Sequence, residues 1–352
     1  MNRGFSLVEL LVAMVISIFL LEGLVSFYIA NKRTSWSGEA LSRTTEVGQV
    51  VFELMARDIR QAGGNPCGMP LVANLLCNIE RNRDKRRCRN REIPEEYLKQ
   101  SWAMDWNRGP VEGFDDRQPA PQVDFGTGQN ERVEGTDAIV VRYGRGLDDA
   151  VVVRHNPQAA TFQLRIGRRS IEDGDIVMVC DDESAAIFQV TRITYQNGNR
   201  ANLVHEAGKG NSLNCFKELG YPANCDEQRG TPKDFTGGFL ADMVSAFWYV
   251  GCNGRVPCDT PEGRSLYRLA LEGDPDGLQT MEIAEGVWDL QIQYRLRDGT
   301  GWLDACDIDW SKLPNVRAVR LMVTLRREVP GGQILEKRIV HAVNLRNMES
   351  VE

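Results

Sequence analysis

The chain has 352 residues, and its 42 lysines and arginines against 49 aspartates and glutamates give a formal charge of −7. A chain of this length forms one large domain or two modest ones, and 42% of its residues are hydrophobic, which is enough for a folded core. The mild acidity excludes a general nucleic-acid binder, which would need a net positive potential.

The first predicted element is an apolar segment at residues 5–30, broken by only a few polar residues and one glycine. As a helix it is long enough to cross a hydrocarbon core of about 30 Å. A secretory signal would carry its small-residue cleavage site after the apolar segment, whereas here the small residue, Gly4, precedes it. We therefore expect residues 1–4 to be a short leader and the helix to remain on the mature chain as a single membrane anchor.

Glu9 lies inside this apolar segment, where an ionisable side chain costs roughly 2.5–3.5 kcal/mol on insertion scales. Cleavage after Gly4 would leave the α-amine of Phe5 nearby, and a neighbouring subunit would present the same amine. A carboxylate that meets an amine in a helix bundle would set the register between subunits. The alternative is that Glu9 reaches the lipid headgroups from near the end of the helix.

The order Gly4, Phe5 and Glu9 ahead of a membrane-length helix resembles the cleavage and methylation motif of type IV pilins and type II secretion pseudopilins. In that family the prepilin peptidase cuts after the glycine, the new N-terminal phenylalanine is N-methylated, and the glutamate aids subunit docking. The resemblance implies those three roles for Gly4, Phe5 and Glu9.

Residues 31–62 are predicted to continue the helix. From Leu41 to Ala62 apolar residues recur at i, i+3 and i+4, with charged residues on the other faces. Gly63 and Gly64 then predict its end. A helix over residues 5–62 would measure roughly 87 Å, with a membrane-spanning first half and an amphipathic second half packed on a globular head.

Residues 63–135 are predicted to be an irregular insertion that contains cysteines, prolines and glycines. Its basic run at residues 81–91 carries few aromatic residues between the arginines. This favours a solvated loop over a patch for anionic lipid or nucleic acid, which stays the alternative.

The nine cysteines include no CxxC pair, which argues against a zinc site. Several lie in loops at short separations, which suits disulfides in an oxidising compartment. The odd count leaves at least one thiol free or in an intermolecular bond. The candidate disulfides are Cys215–Cys225, Cys252–Cys258 and a local set made by Cys67, Cys77 and Cys88.

Residues 136–352 are predicted to form a β-rich head. Val319, Leu321, Val323 and Leu325 alternate with polar or flexible residues, which is typical of a sheet with one buried face. The predicted strands cover residues 138–143, 150–155, 161–166, 175–180, 187–194, 246–251, 266–271, 287–296, 316–326 and 334–344. The fold class is therefore α+β, a long helix packed on a large, mainly antiparallel β head with disulfide-bearing loops.

Several segments resemble the PilW family of type IV pilus minor pilins, at residues 54–63, 173–175, 187–191, 285–294, 316–321 and 343–347. The resemblance implies a subunit of a tip complex that primes pilus assembly, twitching motility and adhesion. The implied partners are other minor pilins and the major pilin, the prepilin peptidase, an inner-membrane assembly platform and a large tip adhesin. The head would be periplasmic before assembly and at the pilus tip afterwards. A J-like minor pseudopilin of type II secretion stays an alternative.

The sequence contains no GxSxG, HExxH, GxxxxGK[ST] or strand-linked GxGxxG pattern. We therefore expect no enzyme, no resident metal or cofactor and no specific nucleic-acid partner. The alternative, a membrane-tethered periplasmic enzyme or ligand-binding module, would need convergent titratable groups. His205 is interpreted as a loop residue, and Trp248 and Trp288 as core residues. Calcium stays open beside an ordinary turn role for the acidic residues Asp274, Asp276, Asp298, Asp304, Asp307 and Asp309.

Overall fold

The fold is described here from a computed structural model. It covers residues 7–64, 66, 71–76, 87–88, 91–92, 101–104, 106–167, 171–208, 212–221, 223–224, 231–272 and 277–346. Helix α1 (Leu7–Gln61) has 55 residues and is about 82 Å long. Gly63 follows it at a φ of 68°, the left-handed conformation with which glycine often ends helices. The predicted long helix is thus confirmed over the described residues.

The rest of the described chain is mostly β-structure, with a short helix α2 (Ser101–Met104) and three 3-10 turns. The strands are β1 (Leu71–Asn74), β2 (Arg87–Cys88), β3 (Arg91–Glu92), β4 (Val111–Phe114), β5 (Ala138–Asn156), β6 (Thr161–Arg165), β7 (Ile176–Cys180), β8 (Ala185–Gln189), β9 (Arg192–Gln196), β10 (Arg200–Val204), β11 (Gly220–Tyr221), β12 (Ala223–Asn224), β13 (Thr231–Pro232), β14 (Phe239–Cys252), β15 (Arg264–Glu272), β16 (Gln279–Glu285), β17 (Val287–Leu296), β18 (Leu303–Asp304), β19 (Val316–Val329) and β20 (Gln333–Asn344).

Two sheets carry the head. The larger has twelve strands along the path β12-β1-β8-β7-β14-β5-β6-β10-β9, with β15 and β4 paired to β14 and β5, and β16 to β15. Its pairs are antiparallel apart from those of β1 with β8 and β12. The smaller sheet is antiparallel, in the order β18-β17-β19-β20. The predicted class, a long helix on a large, mainly antiparallel β head, is confirmed.

The large sheet has a hydrophobic core on each face, and β14 contributes to both. Phe247 and Tyr249 lie in the core on one face. Trp248 and Val250 lie in the other core, together with the last third of α1 and the inner face of the smaller sheet. Alternation of side chains along a strand explains the division. The second core is where the helix meets the head.

Several predicted strands differ from those observed. Residues 138–156 form one 19-residue strand where two were predicted. The predicted strand at 187–194 is interrupted, because Val190 and Thr191 donate backbone bonds to Asp175 and Val204 instead of continuing one ladder. Strands β10 and β16 were not predicted; β16 in particular is largely exposed and contains few large apolar residues.

The segment predicted as an irregular insertion, residues 63–135, contributes to the head. Its strand β1 pairs with β8 and its strand β4 pairs with β5, so part of it completes the large sheet. Both strands have only four residues, and their sequences, LVAN and VEGF, show no strict alternation of apolar and polar residues. The basic run at residues 81–91 lies mostly outside the described residues.

Candidate functional site

The N-terminal part of α1 is fully exposed, and its residues 7–30 form an apolar surface. Every residue from 7 to 39 is exposed, and Ala40 is the first buried residue of the helix. The helix is long and apolar enough to cross a membrane. Such a continuous apolar surface marks contact with lipid or with other apolar helices. The most exposed large apolar side chains here are those of Leu7, Val8, Phe19, Leu20, Leu24 and Phe27.

Glu9 lies in the first turn of the described helix and is exposed on its surface. Gly4 and Phe5 lie outside the described residues. Cleavage after Gly4, methylation of Phe5 and docking through Glu9 therefore stay predictions.

Further along, α1 sits against the smaller sheet through a row of small residues that includes Ala40, Thr44 and Gly48. A Cβ on Gly48 would collide with the Cδ1 of Ile339 and lie 3.1 Å from the Cδ1 of Leu325. Glycine within a helix costs roughly 1 kcal/mol relative to alanine. Its presence at Gly48 is explained by this close approach of the helix to β19 and β20.

Polar and aromatic contacts accompany this small-residue row. The Nζ of Lys337 donates to the Oγ1 of Thr45 at 2.6 Å. The ring of Phe52 stacks on that of His341, with centroids 4.0 Å apart. Both contacts join α1 to β20, the edge strand of the smaller sheet. They fix the face of the helix that is turned towards the head.

A buried carboxylate, Asp58, locks the helix to the larger sheet. Its Oδ1 accepts a hydrogen bond from the hydroxyl of Tyr143 at 3.0 Å. Its Oδ2 accepts from Nε1 of Trp248 at 3.1 Å and from Nε of Arg268 at 2.8 Å. Asp58 has no exposed surface, so the charge of Arg268 and the two neutral donors replace its lost hydration.

The three donors to Asp58 come from three different strands, β5, β14 and β15. A change in the rotation or axial position of α1 would break all three contacts together. Asp58 therefore fixes the position of α1 on the larger sheet, and we call Asp58 with its three donors the seat of the helix. Sequence reasoning did not single it out, although the signal was present: an acidic residue at the centre of the apolar stripe, between Met55 and Ile59.

The end of α1 is also tied to the larger sheet. The N–H of Gly63 donates to the carbonyl of Arg142 at 2.9 Å, and the N–H of Gly144 donates to the carbonyl of Gly64 at 2.6 Å. The Arg142 side chain is fully buried and pairs with Glu112 at 3.1 Å. Backbone hydrogen bonds thus hold the C-terminal end of α1 directly on strand β5 of the larger sheet.

The two sheets are joined at Asp137, just before β5. Its N–H donates to the carbonyl of Leu290 at 2.8 Å, and its Oδ2 accepts from the N–H of Ile292 at 2.7 Å. The pKa of the Asp137 carboxyl is raised to about 8, chiefly by burial and also by the neighbouring Asp115. Burial thus favours the protonated form of the carboxyl group that holds this joint.

Cys252 and Cys258 form a disulfide with a Cα–Cα distance of 5.2 Å. Cys180 and Cys215 are also in disulfides, and the bonding of Cys180 was not predicted. The pairing Cys215–Cys225 stays a prediction. Cys67, Cys77 and Cys225 lie outside the described residues, and the side chain of Cys88 is not described.

Cys306 is the free thiol among the described cysteines and lies exposed on the surface. The odd number of cysteines required an unpaired thiol of this kind or an intermolecular bond. Hydrogen bonding to the carboxylate of Asp115, followed by burial, raises the pKa of Cys306 to about 11. The thiol is therefore protonated and a weak nucleophile at neutral pH.

Two residues differ from their predicted environments. His205 is fully buried, with its Nε2 3.3 Å from the Nε2 of His155. Trp288 is half-buried, with the guanidinium carbons of Arg264 and Arg326 at 3.6 and 4.1 Å from its ring centroid. Trp248 is buried as predicted. The exception at Trp288 arises because arginine stems and cation–π contacts cover an aromatic ring from the solvent side.

Within the described residues, no group of three or more His, Cys, Asp or Glu side chains is arranged to hold a metal ion. Two of the acidic turn residues make ordinary local contacts. Asp309 accepts from the N–H of Ser311 at 3.2 Å, and Asp304 accepts from Nε2 of Gln293 at 3.0 Å. Asp274 and Asp276 lie outside the described residues, and the absence of a cofactor stays a prediction.

Residues 1–21 match the family model for the prokaryotic N-terminal methylation motif. The match supports a type IV pilin-like protein. It covers Gly4, Phe5 and Glu9, and it ends within the exposed apolar part of α1. No curated protein matches the chain, and no solved structure does.

The helix of this pilin-like protein fits a membrane-anchored pilin, since it is apolar, exposed and close to the N-terminus. A pilin-type motif implies assembly with other pilins and processing by a prepilin peptidase. The described contacts divide α1 into two parts: residues 7–30 present the exposed apolar surface, whereas the helix from Ala40 onward packs against the head.

Proposed function

We propose that this pilin-like protein is a minor pilin of the PilW type, which joins a complex at the pilus tip and promotes type IV pilus assembly. Twitching motility and adhesion would follow from that role. The observation that carries the proposal is the methylation motif at residues 1–21, which opens a 55-residue helix with an exposed apolar first half. The PilW-like segments at residues 54–63 and 285–294 add support.

In the proposed sequence of events, the helix first anchors the chain in the inner membrane, with the head in the periplasm. The prepilin peptidase cuts after Gly4, and Phe5 is methylated. The apolar surface then exchanges lipid for the helices of other pilins, which bury it equally well. Glu9 sets the register by meeting the N-terminal amine of a neighbour.

The seat around Asp58 supports this mechanism because a rigid joint makes head and helix move as one body. A force that extracts the helix from the membrane would then place the head at a defined height and rotation. The proposed partners are other minor pilins, the major pilin, the assembly platform and a large tip adhesin. We propose a structural rather than catalytic subunit, without a resident cofactor or a specific nucleic-acid partner.

A J-like minor pseudopilin is the second candidate, because the same motif and helix serve both systems. Deletion of the gene separates the two. Loss of surface pili and twitching with normal exoprotein release supports the minor pilin. Normal pili with impaired exoprotein release contradicts it and favours the pseudopilin.

The role of Glu9 is tested by complementing the deletion strain. Glu9→Gln should fail to restore pili, because a neutral amide attracts the neighbouring amine less strongly than a carboxylate does. Glu22→Gln is the matched control, since Glu22 is also an exposed acid of the apolar part of α1, and it should restore pili. Equal restoration by both variants would exclude docking through Glu9.

A further inference from the structure

Tyr28, Lys32 and Trp36 follow one another at intervals of four residues and line one side of α1. The Nζ of Lys32 lies 5.6 Å from the ring centroid of Tyr28 and 5.1 Å from that of Trp36. The ammonium group is therefore placed between two aromatic rings, at distances typical of cation–π contacts. We call these three residues the aromatic–lysine column.

The column precedes the residues of α1 that are buried against the head. Tyr28 and Trp36 keep 62% and 37% of their surface exposed, and the first buried residue of α1 is Ala40. From Tyr28 to Ala40 the helix rises about 18 Å at 1.5 Å per residue. The column therefore belongs to the part of the helix that meets an environment outside this chain.

The position of the column along the helix indicates which environment that is. From Leu7 to Tyr28 the helix rises about 32 Å, close to the thickness of about 30 Å of a bilayer hydrocarbon core. Residues 7–31 contain no lysine or arginine, so Lys32 is the first basic residue of the described helix. Tyrosine and tryptophan are enriched at the level of the lipid headgroups, and a lysine there can extend its ammonium to the phosphates.

We propose that the aromatic–lysine column binds phospholipid headgroups at the outer surface of the inner membrane and sets the depth of the helix there. The two rings flank the ammonium, and its three N–H donors are available to phosphate oxygens. Arg33, the next residue, adds a second positive charge at the same level.

The proposed depth has a consequence at the other end of the helix. With Tyr28 at the outer boundary of the hydrocarbon core, residues 8–28 fill it and Glu9 lies at the inner boundary. The docking carboxylate would then wait among the inner headgroups, where its charge is solvated, until a neighbouring subunit arrives. Headgroup binding requires membrane insertion alone, so it does not depend on whether the protein serves a pilus or a pseudopilus.

The test places the full-length chain in vesicles of phosphatidylethanolamine and phosphatidylglycerol whose acyl chains carry bromine at a defined depth. Bromine quenches tryptophan fluorescence at short range. Trp36 lies about 12 Å beyond Tyr28 along the helix, too far from the acyl chains for this quencher, so the probe is placed at position 28. The other tryptophans whose surroundings are described lie in the head, so the emission of Tyr28→Trp with Trp36→Phe, minus that of Trp36→Phe, reports on position 28. Bromine near the headgroup should quench this difference emission, whereas bromine at the chain end should not.

Lys32→Gln tests the phosphate contact, and Arg43→Gln is the matched control. Arg43 is an exposed cation of the same helix, paired with Glu39 and further from the membrane. Lys32→Gln should reduce the shallow quenching, and Arg43→Gln should leave it unchanged. The substituted side chains are all exposed, and an unchanged near-ultraviolet circular dichroism spectrum confirms that the head is intact.

Two results would overturn the proposal. If shallow bromine leaves the difference emission unquenched, the column lies in water and its cation–π contacts are internal to the helix. If Lys32→Gln leaves the quenching unchanged, the ammonium does not bind the phosphates. The measurement uses no pilus machinery, so either failure would leave the proposed function in place.

Discussion

Replacing Asp58 by alanine tests the seat of the helix most sharply. The substitution removes the acceptor of three hydrogen bonds and leaves the guanidinium of Arg268, which is 11% exposed, without its buried counter-charge. Breaking a buried ion pair on one side costs about 3–5 kcal/mol, and each orphaned neutral donor adds about 1–3 kcal/mol where the site does not relax. We expect Asp58→Ala to lower the free energy of unfolding by about 4 kcal/mol or more.

The assay is urea unfolding of the detergent-solubilised chain, followed by tryptophan fluorescence and far-ultraviolet circular dichroism. Glu53→Ala is the matched control, because Glu53 is an exposed acid on the same turns of α1, and it should change stability by no more than about 0.5 kcal/mol. The double variant Asp58→Leu with Arg268→Met should recover the part of the loss that comes from the unpaired guanidinium, since apolar replacements of a buried ion pair are often neutral. The part that comes from the unpaired donors of Tyr143 and Trp248 should remain. A loss below about 1 kcal/mol for Asp58→Ala would refute the reasoning.

Three further predictions concern packing and pH. Gly48→Leu should destabilise the head by about 1–3 kcal/mol through overpacking, whereas Gly38→Leu, with nothing within 4 Å of its Cβ position, should be neutral or stabilising in the same urea titration. Burial raises the pKa of Asp137 in the folded state to about 8 from 3.8. Its contribution to stability therefore falls as pH rises from about 4 to 8, by up to about 1.4 kcal/mol per pH unit. Asp137→Asn should flatten this dependence of the unfolding free energy on pH, and an unchanged slope between pH 5 and 8 would contradict the raised pKa. Burial lowers the pKa values of His155 and His205 to about 4 and about 3 from 6.5. Their contribution to the free energy of unfolding is therefore lost as pH falls below about 6.5. His205→Gln should lose less stability than the wild type between pH 6.5 and 4.5, and an equal loss in both proteins would contradict the prediction.

The long helix could be predicted because its signals are local in sequence and repeat over many residues. Residues 5–30 are apolar apart from a few polar residues and one glycine, the stripe to Ala62 has a helical period, and Gly63 supplies the terminating conformation. The strand β19 could also be predicted, because its alternation of buried and half-exposed residues matches a sheet with one buried face. The Cys252–Cys258 disulfide followed from a short separation within a loop.

The features that the sequence did not predict depend on contacts between residues far apart in the chain. Asp58 meets donors from Tyr143, Trp248 and Arg268, and no local pattern announces that an acid on an apolar face will find them. The close approach at Gly48 depends on β19 and β20, about 280 residues further on. Strand β16 is exposed at most positions and has few large apolar residues, so the apolar signal that predicts a strand is weak there.

The central claim is that the chain is processed as a prepilin. Mass spectrometry of the N-terminal peptide of the protein isolated from its native membrane tests this claim directly. The account predicts a mature chain that begins at Phe5 with a methylated α-amine, and a full-length precursor when Gly4 is substituted or the prepilin peptidase is absent. A mature chain that still begins at Met1, or one cut after the apolar segment at residues 5–30, would contradict it.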